Sequence, residues 1–143
     1  MKRINLSLTV IILFFVQLTY SQSADEKAIL KILENQTIAW NQGNIDQFMV
    51  GYWENDSLMF IGHAGPTYGY YNTLHRYKLT YSDTAKMGKL SFDILRMKKI
   101  SDDAYFVLGK FFLKRSIGDL SGHYTLLFRK IGGKWVIVAD HSS

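Results

Sequence analysis

Residues 121–143, with the sequence SGHYTLLFRKIGGKWVIVADHSS, decide the fold of this chain. Two apolar runs flank Gly132-Gly133, and two adjacent glycines adopt positive φ without strain. The stretch therefore predicts a β-hairpin with a two-residue turn. A turn of that length fixes the register, which is predicted to pair Lys130 with Trp135, Phe128 with Ile137, Leu126 with Ala139 and Tyr124 with His141.

Residues that oppose each other share one face of the sheet, so this register divides the hairpin into two faces. The core face is predicted to hold Leu126, Phe128, Trp135, Ile137 and Ala139, with Tyr124 and His141 at its open end. The outer face is predicted to hold His123, Thr125, Leu127, Arg129, Val136, Val138 and Asp140. A core face that becomes polar at its open end predicts a core that opens into a pocket. A slip of one residue would exchange Asp140 and His141.

The composition favours one globular domain. The chain has 143 residues, 48% of them hydrophobic, which is enough to form a sizeable core. It has no cysteine, which excludes a disulfide, a thiolate nucleophile and a cysteine-ligated metal site.

The first 21 residues read as a secretory signal peptide, followed by a domain over residues 22–143. A basic start, Met1-Lys2-Arg3, precedes an uncharged and mostly apolar run at 4–18, and Thr19 and Ser21 supply small residues before the expected cleavage. We expect an exported protein, periplasmic or secreted, with no stable membrane anchor after cleavage. The alternative is an uncleaved anchor, but the run is shorter than the ~20 residues that span a bilayer.

The charge is mildly basic. Removing Lys2 and Arg3 lowers the formal net charge of +5 by two, to +3. The remaining basic residues are scattered, and we interpret them as solvated strand ends rather than a nucleic-acid surface, so no nucleic-acid partner is expected.

Helical signals fill the first half of the chain. Ser23 and Glu26 have capping-box spacing, and apolar residues then recur at helical intervals up to Trp40, before Gly43. A short second helix is predicted from Ile45 to about Tyr52, and a third from Tyr70 to about Tyr81. Residues 57–62 predict a strand, and residues 62–69 a loop, because they contain Gly65-Pro66.

From Lys89 the hydrophobic period changes from helical to alternating. Strands are predicted from Lys89 and over 104–115, followed by the hairpin, and Gly109 predicts a bend or bulge. Helices at the start and four antiparallel strands at the end indicate an α+β fold. A curved sheet wrapped around the first helix would leave a cavity beside the shorter helices.

Several of these segments resemble the NTF2-like superfamily, and within it the DUF4440 and SnoaL-like group. The segments that carry the resemblance are Trp40-Asn41-Gln42-Gly43-Asn44 with Phe48 and Tyr52, Asn55-Asp56, Gly69, and residues 122–130 and 133–143. The resemblance implies a cone in which N-terminal helices pack on a strongly curved, mostly antiparallel sheet. That fold hosts isomerases, dehydratases, cyclases and non-catalytic binding or association domains. Ketosteroid isomerases, for example, use an aspartate base with a tyrosine and a protonated aspartate. No matching triplet can be placed here, although Asp56 is the nearest acidic residue in the first half of the chain.

Three residues are candidates for chemistry. His141, on the predicted core face beside Tyr124, could act as a general base or hydrogen-bond a ligand, or could be a structural histidine. Tyr124 would be a hydrogen-bond donor. His63 follows the first predicted strand and would lie at the rim of the pocket, in a functional or a structural role.

Aromatic residues make up 15% of the chain and predict a pocket for a small hydrophobic or aromatic molecule. The expected pocket residues are Trp40, Tyr52, Trp53, Tyr68, Tyr71, Phe111 and Asp140. The four histidines lack metal-ligand spacing, so neither a metal nor a cofactor is expected.

Two functions stay open at this stage. One is a cofactor-independent proton-transfer enzyme, similar to ketosteroid isomerase or the SnoaL cyclases, acting in an apolar pocket. The other is a non-catalytic binding or association module, whose outer sheet face forms a homodimer.

Overall fold

The computed structural model describes residues 22–143, so the predicted signal peptide at 1–21 lies outside the described residues. The elements are α1 (Ala24–Asn41), α2 (Ile45–Met49), β1 (Met59–Gly62), β2 (Gly65–Tyr68), α3 (Tyr70–Thr80), α4 (Thr84–Met87), β3 (Lys89–Ser101), β4 (Ala104–Lys114), β5 (Leu120–Ile131) and β6 (Lys134–Ser142). This order confirms the α+β prediction. None of the described helices has the length and apolar content needed to cross a bilayer.

Helix α1 begins at the predicted capping box. The Ser23 hydroxyl accepts a hydrogen bond from the Glu26 amide at 3.1 Å, and the Glu26 carboxylate accepts one from the Ser23 amide at 2.9 Å. The helix buries one stripe, and that stripe packs on the sheet: Ile29, Leu33, Gln36, Ala39 and Trp40. The predicted helical spacing is confirmed.

The six strands form one sheet in the order β2-β1-β6-β5-β4-β3, and only the β1–β6 pair is parallel. Strand β2 and the four-residue helix α4 were not predicted. Pro66 favoured a loop because proline cannot donate to a ladder, but β2 lies at the edge of the sheet and pairs with β1 alone. A proline is tolerated at such an edge.

The β5–β6 hairpin has the predicted turn, with φ of 56° at Gly132 and 77° at Gly133. Near the turn the predicted pairs Lys130–Trp135 and Phe128–Ile137 are confirmed. Beyond them a β-bulge shifts the register at Val138.

The shifted register pairs Leu127 with Ala139, Leu126 with Asp140 and Thr125 with His141. The predicted pairs Leu126–Ala139 and Tyr124–His141 are therefore wrong. A bulge leaves one residue without an opposite partner, so every later side chain on β6 changes face. Asp140 lies on the core side and is 4% exposed, whereas His141 is exposed.

Gly109 lies on the concave face of β4, at a position where a bulky side chain would project into the interior. An irregularity interrupts the β3–β4 register between Ile94 and Arg96, opposite Gly109 and Leu108. A Cβ atom at Gly109 would approach the Tyr124 hydroxyl to 2.3 Å, so the missing side chain makes room for that tyrosine. The predicted irregularity is present on the neighbouring strand, and the sheet is curved and unclosed.

Candidate functional site

A cavity of about 80 Å³ lies between the helices and the concave face of the sheet. We call it the chamber. Its wall is mainly aromatic and aliphatic, with a few polar groups, and consists of Gln36, Trp40, Tyr52, Phe60, Tyr77, Tyr81, Leu90, Phe92, Phe111, Leu113, Tyr124, Leu126, Asp140 and Ser142.

A second cavity of about 230 Å³ adjoins the chamber, and we call it the vestibule. The two cavities share Phe60, Tyr77, Tyr81, Phe111 and Ser142. These shared residues lie between the two cavities, and we call them the throat. The remaining wall of the vestibule consists of Gly62, His63, Arg76, Thr80, Leu120, Ser121 and Ser143.

Among the residues that line the chamber, only Asp140 carries a carboxyl group. Tyr52 donates a hydrogen bond from its hydroxyl to Oδ2 of Asp140 at 2.6 Å, and the Ser142 hydroxyl donates to Oδ1 at 2.9 Å. Burial raises the pKa of Asp140 from 3.8 to about 6, against the opposing effect of these two donors. The carboxyl group therefore changes its protonation state near neutral pH, as a general acid or base requires.

Tyr52 and Tyr77 extend the network from Asp140, and their hydroxyl oxygens lie 3.5 Å apart. Burial and the negative charge of Asp140 raise the pKa of both phenols well above the ordinary value. Both therefore stay protonated and remain hydrogen-bond donors across the neutral range.

The Tyr124 ring lines the chamber, and its buried hydroxyl, which lies over Gly109, has no protein partner within residues 22–143. Burial also raises the pKa of Tyr124. A buried hydroxyl without a partner costs free energy, and such groups are rare in native structures unless water or a ligand satisfies them. Tyr124 thus holds one unused donor at the wall of the chamber.

The aromatic wall is held in place by polar anchors at its back. The Trp40 indole donates to the Met87 carbonyl at 3.1 Å, and its ring meets that of Tyr81 edge to face at 4.7 Å between centroids. On the other side, the Tyr77 ring lies 5.3 Å from that of Phe60. The wall therefore presents flat apolar surfaces, whose ring orientations are fixed by packing.

Five of the residues expected in the pocket or at the reacting centre line the chamber: Trp40, Tyr52, Phe111, Tyr124 and Asp140. His63 is exposed at the rim of the vestibule. The predicted position of His141 on the core face is wrong, because the bulge at Val138 turns its side chain outward. The acidic side chain that faces the core is that of Asp140, as the alternative register with a slip of one residue predicts.

Three expected pocket residues lie elsewhere. Trp53 is half-buried outside the chamber, and its amide donates to the Ile137 carbonyl at 2.9 Å. Tyr68 is 59% exposed on the edge strand β2, and Tyr71 is 65% exposed with its hydroxyl bonded to Glu54. Their predicted place in the pocket is wrong, because edge pairing and the orientation of α3 direct these side chains outward.

Residues that line the chamber but were not assigned to it include Tyr77, Tyr81, Phe60 and Ser142. Tyr77 and Tyr81 lie four positions apart, so the helical spacing carried a signal for one shared face. Ser142 follows from alternation once Asp140 is known to face inward. In residues 22–143 no group of three or more His, Asp or Glu side chains is placed to hold a metal ion.

Solved structures resemble the whole described domain. An NTF-2-like protein of unknown function from Shewanella oneidensis is 40% identical, with a TM-score of 0.80, over 83% of this chain and 98% of that one. A ketosteroid isomerase-like protein from Erwinia carotovora atroseptica is 17% identical, with a TM-score of 0.66, over 85% of this chain and 97% of that one. The second likeness shows the fold alone.

A third structure, a candidate calcium/calmodulin-dependent protein kinase II association domain from Xanthomonas campestris, is 16% identical, with a TM-score of 0.65, over 85% of this chain and 88% of that one. No curated protein matches the chain significantly. The family of SnoaL-like domains matches residues 29–143. With its helices on a curved, mostly antiparallel sheet, the chain belongs to the SnoaL-like family and has the NTF2-like fold.

Proposed function

We propose that this protein binds a small hydrophobic or aromatic molecule in the chamber and catalyses a cofactor-independent proton transfer, with Asp140 as the proton acceptor and donor. The observation that carries the proposal is the Asp140 carboxyl group. It is buried among aromatic rings, and its pKa is raised to about 6. Structural carboxylates usually have ordinary or lowered pKa values, whereas raised values are typical of catalytic acids and bases.

In the proposed reaction, ionised Asp140 removes a proton from the substrate, and the electron pair of the broken bond moves onto a substrate oxygen. The Tyr124 hydroxyl donates a hydrogen bond to that developing oxyanion. Protonated Asp140 then returns the proton to another atom of the substrate, which gives an isomer, or assists loss of water or ring closure. No electrons leave the substrate, so the chemistry needs no oxidant or reductant.

Tyr52 supports this cycle from the protein side. Its hydrogen bond to Oδ2 fixes one carboxylate oxygen and stabilises the ionised form of Asp140. Without that donor, burial would raise the pKa of Asp140 further and leave less of the base ionised at neutral pH. Tyr52 is therefore a positioning residue for the proposed base.

The test pairs Asp140→Asn with His141→Ala. Hydrophobic ketones are incubated with the protein in heavy water, and exchange of their α-protons is followed by NMR. We expect Asp140→Asn to abolish protein-dependent exchange and His141→Ala to leave it unchanged, because His141 faces away from the chamber. Exchange that survives in Asp140→Asn would overturn the assignment of the base.

A second candidate function, a homodimeric association module, is favoured by the outer face of the sheet. Phe106 on β4 is 38% exposed and lies opposite the half-buried Leu127 on β5. Phe112 is 40% exposed further along β4, opposite Ser121, and Val136 is half-buried on β6. An exposed apolar patch on a sheet face is a common subunit interface. The likeness to a candidate association domain supports this proposal at the level of the fold.

Export is also part of the proposal. It rests on the sequence of residues 1–21, with their basic start and uncharged apolar run. Expression of the full chain followed by cell fractionation and mass determination tests it. We expect a product that begins at Gln22 outside the cytoplasm; an uncleaved cytoplasmic chain would contradict it.

A further inference from the structure

The vestibule carries a guanidinium group that no Asp or Glu side chain of residues 22–143 neutralises. Arg76, on α3, is half-buried and lines the vestibule wall. Among residues 22–143 it forms no ion pair. The vestibule wall contains no Asp or Glu. Apart from Arg76 and the tyrosines of the throat, its one titratable side chain is that of His63.

The neutral partners of Arg76 fix its position and leave its charge available. Nη1 donates to the Gly65 carbonyl at 3.0 Å and to the Thr67 hydroxyl at 2.7 Å. The guanidinium carbon lies 5.0 Å from the centre of the Phe60 ring. Within residues 22–143 no hydrogen bond is found for Nε or Nη2, so most of the five N–H donors of the group remain free.

The backbone makes room for this group. A Cβ atom at Gly62 would approach Nη2 of Arg76 to 2.8 Å and the Phe60 ring to 3.0 Å. A side chain at position 62 would therefore displace the guanidinium or the ring. The strand thus holds a cationic group directly beside the apolar throat.

The size of the cavities sets how a ligand would lie. A water molecule takes about 30 Å³ in the liquid, so the chamber, at about 80 Å³, has room for roughly three waters. A larger ligand must also occupy the throat and the vestibule. Its inner end then meets Asp140 and Tyr124, its body meets the aromatic throat, and its outer end meets Arg76.

We propose that the natural ligand is a small carboxylic acid with a flat apolar body, whose carboxylate binds Arg76 in the vestibule. This inference rests on the proposed ligand-binding function and specifies its substrate class. The planar fork of Arg76 matches a carboxylate through two parallel hydrogen bonds, and one guanidinium balances the single charge of that group. The distal placement keeps the ligand's charge away from Asp140, the acid at the inner end.

The test compares phenylacetate with phenylacetamide, which have nearly the same shape and differ in charge. Calorimetry at low salt measures their affinities for the wild-type protein, Arg76→Gln and Arg76→Lys. We expect phenylacetate to bind wild-type at least about tenfold more tightly than the amide, Arg76→Gln to remove that preference, and Arg76→Lys to restore part of it.

Two controls separate recognition from folding. Thr67→Val removes a hydrogen-bond partner of Arg76 without removing the charge, so it should lower the melting temperature and keep the carboxylate preference. Lys78→Gln removes an exposed cation from the same helix, one that pairs with Asp46. It should change neither the melting temperature nor the carboxylate preference.

Each outcome decides the proposal. If the amide binds as tightly as the acid, the carboxylate assignment fails while ligand binding in the chamber stands. If phenyl phosphate binds more tightly than phenylacetate, the site prefers a dianion and the assignment to carboxylic acids is overturned. If neither member of the pair binds or stabilises the wild-type protein, the proposed ligand-binding function fails, and this inference fails with it.

Discussion

The Tyr52 hydroxyl lies 2.6 Å from Oδ2 of Asp140, although 88 positions separate the two residues in the chain. Tyr52 follows the short helix α2, and Asp140 is near the end of the last strand. Their contact joins the helical half of the molecule to the sheet at the innermost polar point of the chamber. The same hydrogen bond therefore ties the helical half to the sheet and positions the proposed base.

Stability should fall as pH rises from about 4 to above 6. Folding raises the pKa of Asp140 from 3.8 to about 6, so the folded protein keeps a proton that the unfolded chain releases. The contribution is fully present below pH 3.8 and is lost as the pH passes 6. A shift of this size corresponds to about 3 kcal/mol. Urea unfolding between pH 4.5 and 8 measures it.

Asp140→Asn should lack this dependence and should be at least as stable as the wild type at pH 8, since it carries no buried charge. The lowered pKa values of Asp25, Asp83 and Asp103 act with the opposite sign and below this range. A wild-type profile that stays flat or rises over this range would contradict the raised pKa of Asp140.

Tyr52→Phe should raise the pKa of Asp140 above 6, because it removes a donor that favours the carboxylate. NMR titration of the Asp140 side-chain carbon measures the pKa directly, and the midpoint of any pH–rate profile should move the same way. Tyr71→Phe is the matched control, since that exposed hydroxyl bonds to Glu54 and lies outside the chamber. A pKa unchanged by Tyr52→Phe would mean that the hydrogen bond is absent in solution.

Tyr124→Phe should fold normally and gain up to about 1 kcal/mol of stability, because the hydroxyl that it removes has no partner in the described protein. The same change should weaken binding of ligands that accept a hydrogen bond. Thermal unfolding with and without a ketone probe gives both quantities. A large loss of stability in the unliganded variant would show that the hydroxyl already has a partner, such as bound water.

Leu127→Glu should produce a monomer if the outer face forms a homodimer, because it places a charge in the centre of that apolar surface. Asn35→Glu, on the exposed side of α1, introduces the same charge elsewhere and should not alter assembly. Light scattering measures the oligomeric state of both variants. A wild-type protein that is already monomeric at high concentration would exclude the association proposal.

The elements with local causes were predictable from the sequence. The Ser23–Glu26 cap and the Gly132-Gly133 turn depend on residues a few positions apart, and both form as expected. The bulge at Val138 depends instead on distant partners. Residues 139–141 pair with β1, and Tyr52 binds Asp140, so contacts with residues far away in the sequence select the register.

The site was predictable in composition more than in placement. An aromatic pocket with Tyr124, Tyr52 and Trp40 follows from the hairpin and the helical spacing, but Tyr71 and Tyr77 lie on one helix and face opposite environments. Only the packing of α3 on the sheet decides which of them enters the chamber. Arg76 carried no sequence signal of its own, because its neutral partners come from the unpredicted strand β2.

Because of the extra residue at Val138, a residue's position counted along β6 no longer tells which face of the sheet its side chain occupies. A relative with one residue fewer between Ile137 and the acid would still direct the acid inward, along a straight strand. Comparing the two without a gap would match that acid to Ala139, which lies opposite the outer-face residue Leu127 in this protein. Corresponding pocket residues in such proteins should therefore be matched by superposing backbones, not by counting positions from the glycine turn.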